Sequence, residues 1–363
     1  VIAMLSNSRT QSPVDVSIVI STYNRCDRLP RALDALLAQR TSGVAWEAVI
    51  VDNNSTDRTR AVVQAYIDRG DARLCYVFEP RQGQSFGRNA GVARAEAPLI
   101  AFTDDDVCPS PDWVAGVKSA FAAYPNADFI GGKVLPRWQT EPPDWLTPDH
   151  WSPLALVDYG NDPIVFDART PRPLVGANFA FRRSVFDRLG WFAADFQRVK
   201  DDGLGSADDH EMEMRVWRAG GHGVYIPGLV VLSDVEPART TKAYHRKWYA
   251  GHGRFSALMR LEDCMSPEGC LVPELTHASK LFGVPSYVYG DLVVSLGRWT
   301  KAALHGDKSA AFYHENRSRH CSYYIRQRYS DYDATRKHSG LTELAQFAWT
   351  VGRKRLTARK VSG

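Results

Sequence analysis

The feature that most limits the fold is an alternation repeated four times between Val16 and Asp106. An apolar run ends in polar residues, and a helix-patterned stretch follows. Val16-Ser17-Ile18-Val19-Ile20 reads as a buried strand and ends in Ser21-Thr22-Tyr23-Asn24-Arg25. Asp27 is placed to cap a helix carrying Leu29, Ala32, Leu33, Leu36 and Leu37 at helical spacing. Ala48-Val49-Ile50-Val51 is the second strand, ending in Asp52-Asn53-Asn54-Ser55-Thr56-Asp57, and a helix through Val62, Val63, Tyr66 and Ile67 follows. Leu74-Cys75-Tyr76-Val77-Phe78 is the third strand, and Gly83 to Gly91 opens the third helix. Leu99-Ile100-Ala101-Phe102 is the fourth strand and stops at Thr103-Asp104-Asp105-Asp106. Strands that alternate with helices in this way build an α/β fold around a largely parallel sheet.

Ligands of open α/β sheets bind outside the carboxyl ends of the strands, where each polar turn falls. Tyr23 is placed to stack on a base, Asp52 to accept from a base N–H or a ribose hydroxyl, and Arg88 to pair with a diphosphate. Asp52 and Asp57 equally suit turn formation and helix capping. Three adjacent carboxylates need compensation, and hard oxygen ligands on a short turn suit Mg²⁺ or Mn²⁺ completed by a substrate phosphate. Gly83, Gly87 and Gly91 do not form a G-x-G-x-x-G fingerprint, which excludes a dinucleotide dehydrogenase.

After Asp106 the pattern loosens. A helix is expected from Trp113 to Phe121, a strand over 129–134, an irregular Pro- and Trp-rich stretch over 136–173, and a strand over 174–181. Gly203-Leu204-Gly205 precedes Asp208-Asp209-His210-Glu211, which opens a helix ended by Gly220-Gly221, and Val224 to Leu232 is a further strand. Asp208 with Glu211 has the spacing of a capping box. That leaves Asp209 as the candidate general base, favoured in its charged form by the helix dipole, and His210 as an exposed side chain.

Charge divides the chain. Before residue 236 there are 24 Lys+Arg and 30 Asp+Glu, and from Glu236 onward 21 and 11. An acidic first part, at −6, precedes a basic last part, at +10, which suggests two functional surfaces. A formal net charge of +4 is too small to argue for nucleic acid. The six cysteines form no C-x-x-C pair, which argues against a zinc site and for a reducing compartment. No apolar run reaches the ~18 residues of a membrane span, and Val1–Pro13 lacks a signal-peptide pattern. A cytoplasmic protein is expected.

Together the motifs resemble the family 2 glycosyltransferases with their GT-A nucleotide-sugar fold. The resemblance rests on Ser-Thr-Tyr-Asn-Arg at 21–25, Val-Asp-Asn-Asn-Ser-Thr-Asp at 51–57, Gly-x-Ser-x-x-Arg-Asn-x-Gly at 83–91, Phe-Thr-Asp-Asp-Asp at 102–106, Gly-Ala-Asn at 176–178, and Asp-Asp-His-Glu at 208–211 with Arg215. It implies an inverting transfer of sugar from a nucleoside-diphosphate sugar, most often a UDP-sugar, to an acceptor hydroxyl on a glycan, a lipid-linked sugar or a small molecule. Ser21, Tyr23, Asn24, Arg25, Asp52, Asn54, Arg88, Asp104 and Asp105 would bind the nucleotide. Asp104 and Asp106 would hold Mn²⁺ or Mg²⁺, with Asp106 the direct ligand. Asp209 would be the base, where relatives carry Glu-Asp and this chain Asp-Asp. Asn178, Asp208 and Trp248 would face the acceptor or the donor sugar. A nucleotidyltransferase of similar fold lacks support, since no G-x-G-T-R-like opening follows the first strand; a non-catalytic nucleotide-sugar-binding protein would not need Asp209. Relatives often carry a histidine where this chain has Ser233-Asp234, and Asp234 could replace it as an oxygen ligand.

The implied organisation is a flexible 1–14, a catalytic 15–235 with its donor half in 15–107 and its acceptor half in 108–235, and a basic, mainly helical 236–363. Arg246 to Arg254 would be a lid or a surface helix. Val284 to Leu304 carries Val288, Leu292, Leu296 and Trp299 at helical spacing, with Arg298 and Lys301 between. With the basic tail at 353–360, it suggests weak, salt-sensitive contact with anionic membranes.

Overall fold

The computed structural model describes residues 14–41, 43–196, 206–266, 269–272 and 279–335. The first 13 residues, the 203–205 glycines and the 353–360 tail lie outside them. Strand β1 (Val16–Thr22) is followed by α1 (Leu29–Leu37), β2 (Trp46–Asp52), α2 (Thr59–Ile67), β3 (Leu74–Phe78), α3 (Gln84–Arg94) and β4 (Leu99–Phe102). The order is β3-β2-β1-β4, all parallel, as the alternation predicts. Val16, Ile18 and Ile20 face one side of β1, toward α1 and its buried Leu29, Leu33 and Leu36. Val19 faces the other, in the core that holds Val49, Val51 and Phe102. This two-sided burial is why the strands read as continuous apolar runs. Asp27 does not cap α1: Arg28 stands at the N-cap position without a side-chain cap, and Asp27 only accepts weakly from Cys26.

The second half continues the same sheet. It comprises β5 (Val107–Pro109), α4 (Trp113–Ala123), β6 (Phe129–Trp138), β7 (Ile164–Phe166), β8 (Phe179–Arg182), α5 (Arg183–Leu189), α6 (Asp208–Arg218) and β9 (Gly223–Val235). β8 runs antiparallel between β4 and β6, β6 and β9 are parallel, and β5 and β7 cap opposite ends of β9. Six strands share one direction and β5, β7 and β8 oppose it. The strand expected over 174–181 is shorter, because Gly176–Asn178 is a 3₁₀ turn and only Phe179–Arg182 pairs. The aromatic rings of Phe102, Phe179, Phe181, Phe186 and Phe192 interlock where β4 meets β8.

Beyond β9, α7 (Lys242–Leu258) and α8 (Leu261–Cys264) lead to a small hairpin of β10 (Lys280–Leu281) and β11 (Val284–Pro285), then α9 (Ser286–Leu304) and α10 (Lys308–Thr335). A small core of Ala257, Val284, Val288, Cys321 and Tyr324 joins α7, α9 and α10. Trp145 meets His245 of α7 and Phe312 of α10 edge-on, at 5.0 and 4.7 Å between ring centres, and so fastens these helices to the segment after β6. Among the described residues no helix is long and apolar enough to cross a membrane.

Candidate active site

The carboxyl ends of β1, β2 and β4 lie side by side and open into a cleft of about 1280 Å³. Its first wall carries Ser21 near the end of β1, Tyr23, Asn24 and Arg25 just after it, and Arg88 of α3. α3 comes this close to β1 because residue 87 is glycine: a Cβ there would lie 2.0 Å from Ser21 Oγ. Asp104, Asp105 and Asp106 form the floor.

The acidic floor is electrostatically tense. Burial pushes the Asp104 carboxyl up to about 6, against the pull of Arg88, with Asp106 and Asp209 adding to the rise. Burial and then Asp106 push Asp105 up to about 7. A cation among them would relieve the repulsion, so the donor set fits Mn²⁺ or Mg²⁺. Among the described residues no three His, Cys, Asp or Glu side chains converge as a metal cage. Asp234 is not part of that set. Its carboxylate accepts from Arg137 Nε at 2.5 Å and Arg31 at 3.3 Å, so it cannot stand in for the histidine of relatives.

Two neighbouring carboxylates of α6 have separate surroundings. Asp209 lines the cleft and is half-buried; its Oδ2 accepts from the Gly176 amide at 3.3 Å and its Oδ1 from the His210 amide at 2.9 Å. Asp208 is fully buried and does not cap the helix, contrary to the capping-box spacing. Its Oδ2 accepts from Arg88 at 2.9 Å and from Ser85 Oγ at 3.1 Å. Burial raises the Asp208 carboxyl while Arg88 lowers it. Burial works against the charge of Arg88, and Asp208, Asp209 and Asp104 overcome it. Arg88 therefore reaches the cleft as one half of a buried ion pair. A Cβ at Gly176 would sit 2.1 Å from its guanidinium, so that glycine lets the Leu174–Gly176 segment close over it.

Several other predicted residues sit elsewhere. Asn178 is buried and fully engaged: its oxygen accepts from Trp113 Nε1 at 2.7 Å and its amide donates to the carbonyls of Lys133 and Leu229. It ties β6, β8 and β9 together and offers nothing to a substrate. Asp52 accepts from Tyr76 Oη and the Ser55 amide, both at 2.9 Å, behind the cleft wall. Asn54 is exposed with φ of 66°, in the turn after β2. It is its neighbour Asn53 that lines the cleft, holding the Gly83 amide at 2.7 Å.

The far wall comes from α7, whose Tyr244, Trp248 and His252 fall on one face, four residues apart. Trp248 and His252 stack at 4.4 Å with 13° between planes. Arg239, before α7, is another lining residue, and its Nε is buried without a partner. His210 is half-buried and faces the cleft instead of solvent; burial and then Arg218 lower its imidazole to about 4.

Residues 17–190 match the glycosyl transferase family 2 model. The chain carries a family 2 glycosyltransferase domain. The domain is 41% identical over 197 residues to a validoxylamine A glucosyltransferase of Streptomyces hygroscopicus subsp. jinggangensis, covering 51% of this chain and 46% of that one. It is 25% identical over 188 residues to a glucosyl-dolichyl phosphate glucuronosyltransferase of Haloferax volcanii, covering 51% and 58%. The chain thus spans about half the length of these relatives. Its fold is that of the GT-A glycosyltransferases: a mannosyltransferase of Pyrobaculum calidifontis, solved with GDP-mannose and Mn²⁺, superposes with a TM-score of 0.57 at 19% identity over 86% of each chain.

Proposed function

We propose that this glycosyltransferase domain transfers a sugar from a nucleoside-diphosphate sugar, a UDP-sugar by family preference, to an acceptor hydroxyl with inversion at C1. The observation that carries the reading is the placement of Asp209. It faces the same cleft as Asp104–Asp106 and Arg88, while Asp208 beside it is consumed by an ion pair. Ser21, Tyr23, Asn24, Arg25 and Asn53 receive the nucleotide at the strand ends. Arg88 and the unpartnered Nε of Arg239 supply positive charge for the diphosphate. Asp104 and Asp106 would hold Mn²⁺ or Mg²⁺, which would neutralise the departing diphosphate. Trp248 and His252 offer a flat face to the acceptor. Asp209 then takes the proton from the acceptor hydroxyl as that oxygen attacks C1. Residues 15–107 form the donor half and 108–235 the acceptor half, and the basic region that begins at 236 lends α7 to the cleft.

The test is release of nucleoside diphosphate across a panel of sugar nucleotides and acceptors with Mn²⁺ or Mg²⁺. General-base catalysis contributes roughly 10²–10⁴-fold, so Asp209→Asn is expected to slow transfer by about that factor with nucleotide affinity held within about twofold. An Asp209→Asn protein that transfers at the original rate overturns the assignment. Absence of transfer from every donor overturns the function.

A further inference from the structure

The buried carboxyl of Glu213 has no role in this scheme. Glu213 lies one helical turn after Asp209 on α6 and is completely buried. Its Oε1 accepts from the Leu174 amide at 2.9 Å, and its Oε2 is buried with no partner. A solvent-excluded carboxyl is costly unless it is neutral or well bonded, so its retention here calls for a function.

The surroundings indicate one. Leu174, Val175 and Gly176 all border the cleft. Glu213 holds the first of them and Asp209 the last, through the Leu174 and Gly176 amides. The same segment presses on Arg88, because Gly176 has no side chain between it and the guanidinium. Two carboxyls of one helix face therefore pin three consecutive residues of the cleft wall, and the Gly176 amide in turn fixes one oxygen of Asp209.

We propose that Glu213 is a positioning residue for the base: its carboxyl anchors Leu174–Gly176 to α6 and so keeps the Gly176 amide on Asp209. The proposal rests on the reading of Asp209 as the base. Burial, and then the charge of Asp209, hold the Glu213 carboxyl well above the usual carboxylate range. The carboxyl is thus biased toward its neutral form. Tyr159 is the other titratable group facing it, with Tyr225 and Arg172 behind; Tyr159 is pushed up to about 12 by burial and then Glu213, so it stays neutral as well. As pH rises, Glu213 ionises next to Asp209, and repulsion between the two carboxylates displaces Asp209 from the Gly176 amide.

Three proteins test this: the original, Glu213→Gln and Glu213→Met. Glutamine keeps an acceptor oxygen for Leu174 and cannot ionise; methionine keeps the bulk and loses the acceptor. In Glu213→Met, kcat is expected to fall about tenfold or more, as displaced catalytic groups do, while the donor KM stays within about twofold. In Glu213→Gln the rate at neutral pH is restored and the alkaline fall of the original protein is removed. Amide hydrogen exchange at Leu174 and Gly176 needs no substrate: protection is expected in the original protein and the Gln variant and about tenfold faster exchange in the Met variant. Unchanged kcat and exchange in Glu213→Met, or an alkaline fall that persists in Glu213→Gln, overturns the proposal. If Glu213→Met does not fold, the Gln pH profile and exchange decide alone. If the original protein transfers no sugar, the function fails, and the exchange data still decide whether Glu213 anchors the segment.

Discussion

Arg88 and Asp208 are separated by 120 residues in sequence and form the most deeply buried ion pair beside the cleft, at 5% and 0% side-chain exposure. Removing one partner of such a pair strands the other charge in a dry site, at a cost of about 3–5 kcal/mol. Asp208→Asn is therefore expected to lower unfolding free energy by about 3 kcal/mol, well beyond the ~1 kcal/mol of a lost helix cap. Denaturant unfolding of Asp208→Asn beside Asp209→Asn checks this, because the half-exposed Asp209 should cost far less. The capping-box spacing misled because it is a local rule, while the partner that decided the outcome comes from α3. Asn178 was misassigned for the same reason: the motif gives its position, and only the packed structure shows Trp113 and two carbonyls using its whole side chain. Asp209, Asp104 and Tyr23 were legible as cleft residues because each follows directly from a strand or helix terminus. Glu213 and the unpartnered Nε of Arg239 gave no local signal, since their chemistry is set by burial.

Elements fared better than single residues. β1 to β4 and the helices between them were readable because two-sided burial forces unbroken apolar runs, and helices covering them need a one-sided stripe. β5, β7 and α5 escaped, being three to seven residues long. α9 shows where a stripe stops being informative: Val288 and Ser295 are buried, yet Val293, Val294, Leu296 and Leu304 stay exposed, at 68, 50, 41 and 82%. Arg298 and Lys301 stand on the same helix, the combination from which contact with an anionic membrane is predicted. Co-flotation with anionic vesicles at low salt is expected, reduced by added salt and by Val293→Ser with Leu304→Ser. Flotation that ignores both changes would show that α9 is not the contact.

Across the whole molecule, buried imidazoles give folding an acid limit. His210, His245 and His320 are lowered to about 4 and His252 well below the ordinary value, in each case by burial first. The unfolded chain takes up protons at these sites once pH drops below the ordinary histidine value of 6.5, whereas the folded protein resists down to about 4. The stability they support is thus complete above pH 6.5 and is lost steadily as pH falls toward 4. The raised carboxyls of Asp104, Asp105 and Glu213 act in the opposite sense over the same window, so the histidine contribution is read as a difference between variants. His245→Phe, which fills a similar space against Trp145, should retain more of its melting temperature than the original protein on going from pH 7 to pH 4.5; an identical pH dependence would mean that His245 does not titrate as its burial requires.

The wall formed by α7 has a consequence for specificity. The residues proposed for the donor lie inside the segment that matches the family, 17–190, with the exception of Arg239, whereas Tyr244, Trp248 and His252 all lie beyond it. On the proposed reading, substitutions at Trp248 or His252 alter the acceptor surface while leaving Ser21, Tyr23 and Arg88 in place, so acceptor choice and nucleotide binding can change separately.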